Sequence, residues 1–205
     1  EPAGAACLKA SLESGEVTTV SKINTIADGT AVQTPGDKLF PYLQANVDHV
    51  ITVDDSELTL SFLDMAENHK MIVENSGLLT VAALKHLDFK GKKVVSVLSG
   101  GNMDVLTMAT VVQNGLMQRD RIFTVSVMLP DKPGQLAAVS SLIAKEQGNV
   151  IKLEHNVFAN VNRTAGVELT ITLESFGTEH KDQIIKALEA AGYCPVITKT
   201  NGIYM

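Results

Sequence analysis

A serine followed by two glycines and an asparagine, at residues 99–102, is the most informative group in this chain. An apolar segment, residues 94–98, runs into the group, and a helical pattern begins at Met103. Because glycine has no Cβ, a turn with two adjacent glycines lets a ligand approach the backbone closely. The pattern predicts either a ligand-binding corner between a strand and a helix, or a tight corner in which Ser99 or Asn102 only caps the helix.

Other turns have residue types that could bind small molecules. Asp28-Gly29 is either an ordinary Asp-Gly turn or the edge of a binding loop. Gly134 precedes a helical pattern that begins at Gln135, and the free N–H groups of a helix start can receive a carboxylate. Asn149 follows Gly148 and is either a turn residue or a group that could bind an amine.

Composition excludes several classes of function. The formal net charge is −6 and the pI is about 5.3. Phosphates require a basic face, so we expect no nucleic-acid and no membrane partner. Cys7 and Cys194 lack the spacing of zinc ligands, and the histidines form no ligand or triad pattern. No segment approaches the roughly 20 apolar residues of a membrane helix. We therefore expect a reduced, cytoplasmic protein without a metal site.

Helices and short apolar strands alternate over residues 1–118. The group from Asp54 to Glu57 has the spacing of a capping box, which begins a helix. Helices are predicted at 5–14, 35–46, 54–68, 76–87 and 103–116, and strands at 17–20, 49–53, 71–73 and 93–98. This alternation is typical of a parallel sheet covered on both faces, so we predict an α/β fold.

The pattern changes after a polar cluster at residues 118–121. Residues 122–129 alternate: Phe123, Val125, Val127 and Leu129 face one way, and Thr124 and Ser126 face the other. Strands are predicted at 122–129, 149–159, 167–173 and 194–199, a turn at 160–163, and helices at 135–147 and 178–191. This order, βαββαβ, is that of a ferredoxin-like module. We therefore predict two domains, 1–118 and 119–205.

Five short motifs together resemble a known family. In chain order they are Glu1-Pro2-Ala3-Gly4-Ala5, Ala27-Asp28-Gly29-Thr30-Ala31-Val32, Glu74-Asn75-Ser76-Gly77, Ser99-Gly100-Gly101-Asn102 and Asp131-Lys132-Pro133-Gly134-Gln135-Leu136. The set is similar to the threonine dehydratases (threonine ammonia-lyases), pyridoxal-phosphate enzymes of the serine/threonine dehydratase family with a C-terminal ACT regulatory domain. The resemblance extends over the whole chain. It implies part of a fold-type-II pyridoxal-phosphate domain at 1–118 and an ACT domain at 119–205.

The resemblance also implies roles for the residues of the first domain. Ser99 matches the serine that hydrogen-bonds the pyridine nitrogen of pyridoxal 5′-phosphate. A carboxylate there would keep the nitrogen protonated, whereas a hydroxyl leaves a milder electron sink, which suffices for loss of the α-proton and the β-hydroxyl. Gly100, Gly101 and Asn102 would form the wall against the ring, and Asp28 and Gly29 would border it.

Two motifs of the family do not occur in this chain. The family anchors its cofactor on a lysine in a Ser-x-Lys-x-Arg-Gly type motif and holds the phosphate in a Gly-Gly-Gly-Gly loop. We therefore expect this chain to be the C-terminal part of the enzyme, without catalytic residues of its own. Some relatives bind a cation at the positions of Glu1, Ala5 and Cys7, but a thiol is a poor ligand for a hard cation.

In the second domain the resemblance implies an amino-acid effector site at a subunit interface, and hence a homo-oligomer. The matching residues are Asp131, Gly134, Gln135, Leu136, Asn149, Val150 and Ile151. The alternative for Gly134 and Asn149 is that both are turn residues only. Isoleucine or valine would suit a biosynthetic enzyme as effector.

Three functions remain open from the sequence. The first is a lyase that converts L-threonine to 2-oxobutanoate and ammonia. The second is a ligand-binding and oligomerisation module without catalysis. The third is a pyridoxal-phosphate lyase of the serine dehydratase type.

Overall fold

A computed structural model describes residues 1–156 and 166–200 of the chain. The chain divides into two compact units, unit 1 at Glu1–Gly115 and unit 2 at Leu116–Met205. The predicted helices of unit 1 are present with shifted ends: α1 Cys7–Ser14, α2 Phe40–Asn46, α3 Asp55–Asp64, α4 Leu79–Ala82 and α5 Val105–Gln118. No helix within the described ranges is long and apolar enough to cross a membrane.

The predicted capping box begins α3. The backbone N–H of Asp54 donates to Glu57 Oε2 at 2.9 Å, and the Asp54 side chain accepts from the Glu57 backbone in return. The helix continues as a π-helical turn, Met65–His69, which ends at Lys70 with a left-handed φ of 57°. The helix predicted at 76–87 is instead a 3₁₀ turn at Asn75–Leu78, the short α4, and a second 3₁₀ turn at Ala83–His86.

The strands predicted for unit 1 form no ladder in the part of the chain that the structure describes. One isolated parallel bridge joins Pro2 and Val53, where Ala3 N–H donates to the Val53 carbonyl at 2.8 Å. A strand is stabilised by hydrogen bonds to a neighbour, and the segment at 93–98 has no such neighbour here. Its side chains are correspondingly open, with Val95 89% and Val97 67% exposed.

Unit 1 is therefore organised around helices. Its core consists of buried residues from α3, α4, α5 and the loops that precede them: Ala27, Val53, Leu58, Phe62, Met65, Val73, Leu78, Leu79, Ala82 and Val111. The loop at 25–30 contributes Ala27 to this core, and the segment at 74–77 contributes polar groups. These two loops position the candidate site described below.

Unit 2 has the predicted βαββαβ order. Its elements are β1 Ile122–Leu129, α6 Gln135–Lys145, β2 Asn149–Asn156, β3 Val167–Glu174, α7 Thr178–Ala190 and β4 Val196–Thr198. The strands form one antiparallel sheet in the order β2-β3-β1-β4. The predicted residues 157–159 of β2 and the turn at 160–163 lie outside the described residues.

The alternation in β1 and β3 determines which face of the sheet is buried. Val125, Val127, Leu169 and Ile171 have no exposed surface and pack against α6 and α7. The intervening residues lie on the opposite face, because side chains alternate along a strand. That opposite face is lined by threonine, serine, lysine and glutamate side chains.

Candidate functional site

Three loops of unit 1 meet at the side chain of Glu74. They are the 3₁₀ turn Asp28–Thr30, the segment 74–77 and the corner 99–102. Glu74 Oε2 accepts a hydrogen bond from the Asn102 backbone N–H at 3.1 Å, and the Glu74 N–H donates to the Gly100 carbonyl at 3.4 Å. Glu74 therefore fixes the corner from both its side chain and its backbone.

Glycine is required at this corner for two independent reasons. Gly100 has φ +77°, a conformation that L side chains rarely adopt. A Cβ on Gly100 would also lie 2.2 Å from Glu74 Oε1. Gly77 and Gly29 lie close to neighbouring loops of the same site. A Cβ on Gly77 would lie 1.9 Å from the Ser99 carbonyl oxygen, and a Cβ on Gly29 would lie 3.0 Å from Ser76 Oγ.

Polar side chains tie the loop at 25–30 to its neighbours. The Asp55 carboxylate accepts from Thr25 Oγ1 at 2.6 Å and from the Ile26 N–H at 3.0 Å. Asn75 Nδ2 donates to the Ile26 carbonyl at 3.0 Å. Asp55, the first residue of α3, and Asn75 therefore hold the loop that carries Asp28 and Gly29.

Ser99 lies at the exposed tip of the corner. Its hydroxyl forms no hydrogen bond to any residue that the structure describes, and its neighbours Gly100 and Gly101 are exposed as well. An available hydroxyl beside two residues without side chains fits the edge and face of a pyridine ring. The hydroxyl is therefore available for the role that the sequence predicts for Ser99.

Neither Ser99 nor Asn102 caps the following helix, so the alternative interpretation of these residues is wrong. Helix α5 begins at Val105, and Asp104 Oδ1 accepts from the N–H groups of Leu106 at 2.9 Å and Thr107 at 3.0 Å. A hydrogen bond from the Thr107 hydroxyl, followed by those backbone bonds, lowers the pKa of Asp104. The serine and asparagine side chains are therefore not used by the helix.

A cavity of about 470 Å³ lies beside the corner. Asp28 and Asn102 line it, together with Glu74, Asn75 and residues of α3 and α5. Ser99, Gly100, Gly101 and Gly29 are not part of this lining. Of the candidate cofactor residues, only Asp28 and Asn102 line this cavity, whereas Ser99, Gly100 and Gly101 lie at the exposed corner.

The sequence interpretation assigned no role to Glu74, Asn75 and Ser76. Glu74 organises the corner, while Asn75 Oδ1 and Ser76 Oγ are buried without a partner among the described residues. Buried polar atoms without partners are costly and mark places where a ligand or water can bind. The sequence did point to this segment, because the motif at 74–77 is one of the five that carry the resemblance.

Glu1 has a structural role. Its two carboxylate oxygens accept from the N–H groups of Leu8 at 3.1 Å and Lys9 at 2.6 Å, at the start of α1. The thiol of Cys7 is buried, and burial, followed by the charge of Glu1, raises its pKa. Within the described ranges there is no group of three or more His, Cys, Asp or Glu residues that could hold a metal ion.

The residues predicted for an effector site lie at two places in unit 2. Gly134, with φ +90°, precedes α6, whose first residues are Gln135 and Leu136 and which has no side-chain cap. Asn149 pairs with Glu174 across β2 and β3, and its Nδ2 donates to Glu174 Oε2 at 3.1 Å. Asp131 lies in the turn after β1.

The second strand is irregular beside Asn149. The register shifts between Val150 and Lys152, so Ile151 has no direct partner on β3. Such a bulge locally bends a strand and turns its side chains. Val150 is 37% and Leu136 is 36% exposed, so both are accessible at the positions that the effector interpretation requires.

Both units match known families. Residues 1–100 match the model described as pyridoxal-phosphate-dependent enzyme, and residues 123–192 match the ACT domain. The L-threonine ammonia-lyase of Geobacter sulfurreducens is 36% identical over 202 residues, which are 97% of this chain and 50% of that protein. The L-threonine ammonia-lyase of Thermotoga maritima is 34% identical over 185 residues, 90% of this chain and 46% of that protein. The chain thus spans about half the length of these curated relatives.

A solved structure gives the same relationship. The processed form of threonine deaminase isoform 2 from Solanum lycopersicum has a TM-score of 0.51 at 28% identity, covering 56% of this chain and 34% of that one. Together these matches confirm the resemblance stated from the five motifs. They also confirm a mixed helix-and-sheet chain that combines part of a pyridoxal-phosphate enzyme domain with an ACT domain.

Proposed function

We propose that this chain, whose residues 1–100 belong to the pyridoxal-phosphate-dependent enzyme family and whose residues 123–192 form an ACT domain, is the C-terminal part of an L-threonine ammonia-lyase. The reaction is the β-elimination of L-threonine to 2-oxobutanoate and ammonia. The observation that carries the proposal is the free Ser99 hydroxyl on the glycine corner, in a chain that is 36% identical to an L-threonine ammonia-lyase over 202 residues.

The role of Ser99 is to bind the pyridine nitrogen without charging it. Pyridoxal 5′-phosphate, when bound, withdraws electrons from the substrate Cα. A serine hydroxyl donates a hydrogen bond to the nitrogen but does not protonate it, so electron withdrawal stays moderate. Gly100 and Gly101 allow close approach to the ring face, and Glu74 holds the corner through the Asn102 N–H. Asp28 and Gly29 border the ring from the second loop.

The chain by itself would be catalytically inactive. None of its lysines lies in a Ser-x-Lys-x-Arg-Gly type motif, and no Gly-Gly-Gly-Gly loop is present for a phosphate. Elimination requires a base that removes the α-proton, and in this family that base is the anchoring lysine. This observation favours the second candidate function for the polypeptide in isolation, a ligand-binding and oligomerisation module.

We assign the domains as residues 1–118 and 119–205, with regulation located in the second. An amino-acid effector would place its carboxylate on the free N–H groups at the start of α6 and its amino group near Asp131 or Asn149. The site would be shared between two copies, so the protein would be a homo-oligomer. Cys7 and Cys194 are both free thiols, in keeping with a cytoplasmic enzyme.

Two measurements test the proposal. The chain is incubated with pyridoxal 5′-phosphate and L-threonine. It should yield no 2-oxobutanoate, and borohydride reduction should trap no specific adduct between the cofactor and a lysine of this chain. Turnover by the chain alone would overturn the assignment of catalysis to residues outside it. L-serine in parallel distinguishes the serine dehydratase alternative when the full-length protein is assayed.

The second measurement uses variants of the full-length protein. Ser99→Ala should lower the rate of 2-oxobutanoate formation about tenfold, the expected loss for one hydrogen bond that strengthens in the transition state. Ser96→Ala is the matched control, since the one hydrogen bond of Ser96 Oγ among the described residues is a 3.4 Å bond to the Thr80 carbonyl. Equal rates for the Ser99→Ala variant and the wild type would contradict the role of Ser99.

A further inference from the structure

A row of hydroxyl groups crosses the sheet of unit 2 on the face away from its helices. Thr124 of β1 pairs directly with Thr172 of β3 on one side and with Thr198 of β4 on the other, and Thr172 pairs with Lys152 of β2. These four residues, which we term the threonine rung, therefore lie at one level across all four strands. Their neighbours Phe123, Val125 and Ile171 are buried in the core on the other face.

Two threonines of the rung, Thr124 and Thr172, are buried although nothing of the described core covers them. Thr124 is 5% and Thr172 is 8% exposed. Their hydroxyl oxygens are 3.0 Å apart and hydrogen-bond each other. Thr198 Oγ1 is buried with no partner among the described residues. A buried hydroxyl without a partner is unfavourable, so this position calls for a polar group from outside the sheet.

Around the rung one lysine is left without a charge partner in the part of the chain that the structure describes. A cavity of about 360 Å³ is lined by the rung together with Glu154, Thr170 and Lys199. Lys152 Nζ lies 2.8 Å from Glu154 Oε1, so these two charges are paired. The nearby Glu168 accepts a hydrogen bond from Ser126. Lys199 has no carboxylate of the described residues within ion-pair distance, and it lines the cavity next to Thr198.

We propose that the threonine rung and Lys199 form a binding site for the carboxylate group of a small organic acid. The Thr198 hydroxyl donates one hydrogen bond to the carboxylate, and the Lys199 ammonium supplies the opposite charge. The carboxylate belongs to an amino acid or to a 2-oxo acid, and both have this group in common. The site is separate from the effector residues at 131–136 and 149–151 and does not depend on the catalytic proposal.

Amide spectra of the isotope-labelled full chain test the location of binding. The probes are L-threonine, 2-oxobutanoate and n-butylamine, which has no carboxylate. At least one carboxylate probe should shift the amide signals of Thr124, Thr172 and Thr198, and n-butylamine should not. Shifts with L-threonine only would identify an amino-acid site, and shifts with 2-oxobutanoate only an oxo-acid site. Shifts confined to 131–136 and 149–151, or equal shifts with n-butylamine, would overturn the proposal.

Paired variants test the chemistry of the site. Thr198→Val keeps the branched shape that suits a strand but removes the hydroxyl, and the Kd of the carboxylate probe should rise about tenfold. Thr198→Ser restores the hydroxyl and should bind like the wild type. Lys199→Met should also weaken binding about tenfold, whereas Lys186→Met removes the same charge from α7 and should leave the Kd unchanged. Wild-type affinity in both Thr198→Val and Lys199→Met would contradict the site.

Discussion

The two units of this chain bury their apolar residues in different ways. Unit 2 closes its core within itself: four strands are paired in one sheet, and residues from β1, β3, α6 and α7 are buried together. Unit 1 has a core of comparable kind between helices, yet its apolar segment at 93–98 forms no ladder, and Val95 is 89% exposed. An apolar segment can thus become either a buried strand or an exposed stretch of chain.

A strand forms only where a neighbouring strand is available to accept and donate its backbone hydrogen bonds. In unit 2 the partners of each strand lie within the same unit, so the sheet can form from this chain alone. A parallel strand needs neighbours supplied by crossover connections. Unit 1 does not provide those neighbours within the described residues. We therefore expect unit 2 to be the more stable part.

Loss of side-chain volume should have the largest effect in a paired strand of unit 2 and little effect in the unpaired segment at 93–98 of unit 1. Ile171→Ala removes a side chain with no exposed surface and should lower the free energy of unfolding of unit 2 by about 3 kcal/mol. Val95→Ala, at an exposed position, should change unit 1 by about 0.5 kcal/mol or less. Urea titrations followed by amide signals of each unit measure both. Equal losses would remove the contrast between the two regions.

The glycine corner should be the most sensitive surface feature of unit 1. Gly100→Ala adds a Cβ that would lie 2.2 Å from Glu74 Oε1 at φ +77°, and it should destabilise unit 1 by about 2 kcal/mol. Gly91→Ala has a similar φ of +74° but open space around the Cβ, so only the backbone strain of about 1 kcal/mol remains. Identical losses in the two variants would show that Glu74 does not pack under the corner.

The ion pair between Asp120 and Lys181, at the start of unit 2, should make a smaller, pH-dependent contribution to the free energy of unfolding. Burial acts to raise the pKa of Asp120, but hydrogen bonds from Lys181 and Thr178 and the charge of Lys181 outweigh it, and the pKa is lowered from 3.8. Because the pKa is lower in the folded state, the stabilisation is present above about pH 4 and is lost as the pH falls through the folded value.

The variant Asp120→Asn should accordingly lose about 1 kcal/mol of stability at neutral pH, given that the side chain is 27% exposed. The loss should vanish in acid, where the wild-type carboxyl is protonated as well. Asp182→Asn, on the exposed side of α7, is the control and should show no such pH dependence. Thermal melts of the three proteins between pH 7 and pH 2 give the comparison.

The smallest effect concerns the start of α5. Asp104→Ala should speed hydrogen exchange of the Leu106 and Thr107 amides, because Asp104 accepts from both. Asn102→Ala should leave those amides unchanged. Faster exchange after Asn102→Ala alone would restore the capping interpretation and leave Asn102 without a role at the site.

Much of unit 2 could be predicted from the sequence, because alternation identified β1 and β3 and the short connections fixed their order. The capping box placed α3 correctly for the same local reason. The unpaired segments of unit 1 could not be predicted, since alternation does not reveal whether a neighbour is present. The role of Glu74 also required coordinates, because its contacts with Asn102 and Gly100 join residues that are far apart in sequence.

The threonine rung on the open face of the sheet likewise could not be predicted in full from the sequence. Alternation predicts a polar face, but it does not predict that Thr124 and Thr172 are buried or that Thr198 Oγ1 has no partner among the described residues. That result depends on the register between strands, in particular the pairing of β4 with β1. The effector residues at 131–136 and 149–151 stay predictions.

The protonation state of the cofactor nitrogen tests the central claim most directly. The measurement is the ¹⁵N NMR shift of ring-labelled pyridoxal 5′-phosphate bound to the full-length protein, in the wild type and in Ser99→Asp. We expect an unprotonated, hydrogen-bonded nitrogen in the wild type and a protonated nitrogen in the variant, because a carboxylate at residue 99 would stabilise the proton. A protonated nitrogen in the wild type, or a shift that does not respond to Ser99→Asp, would contradict it.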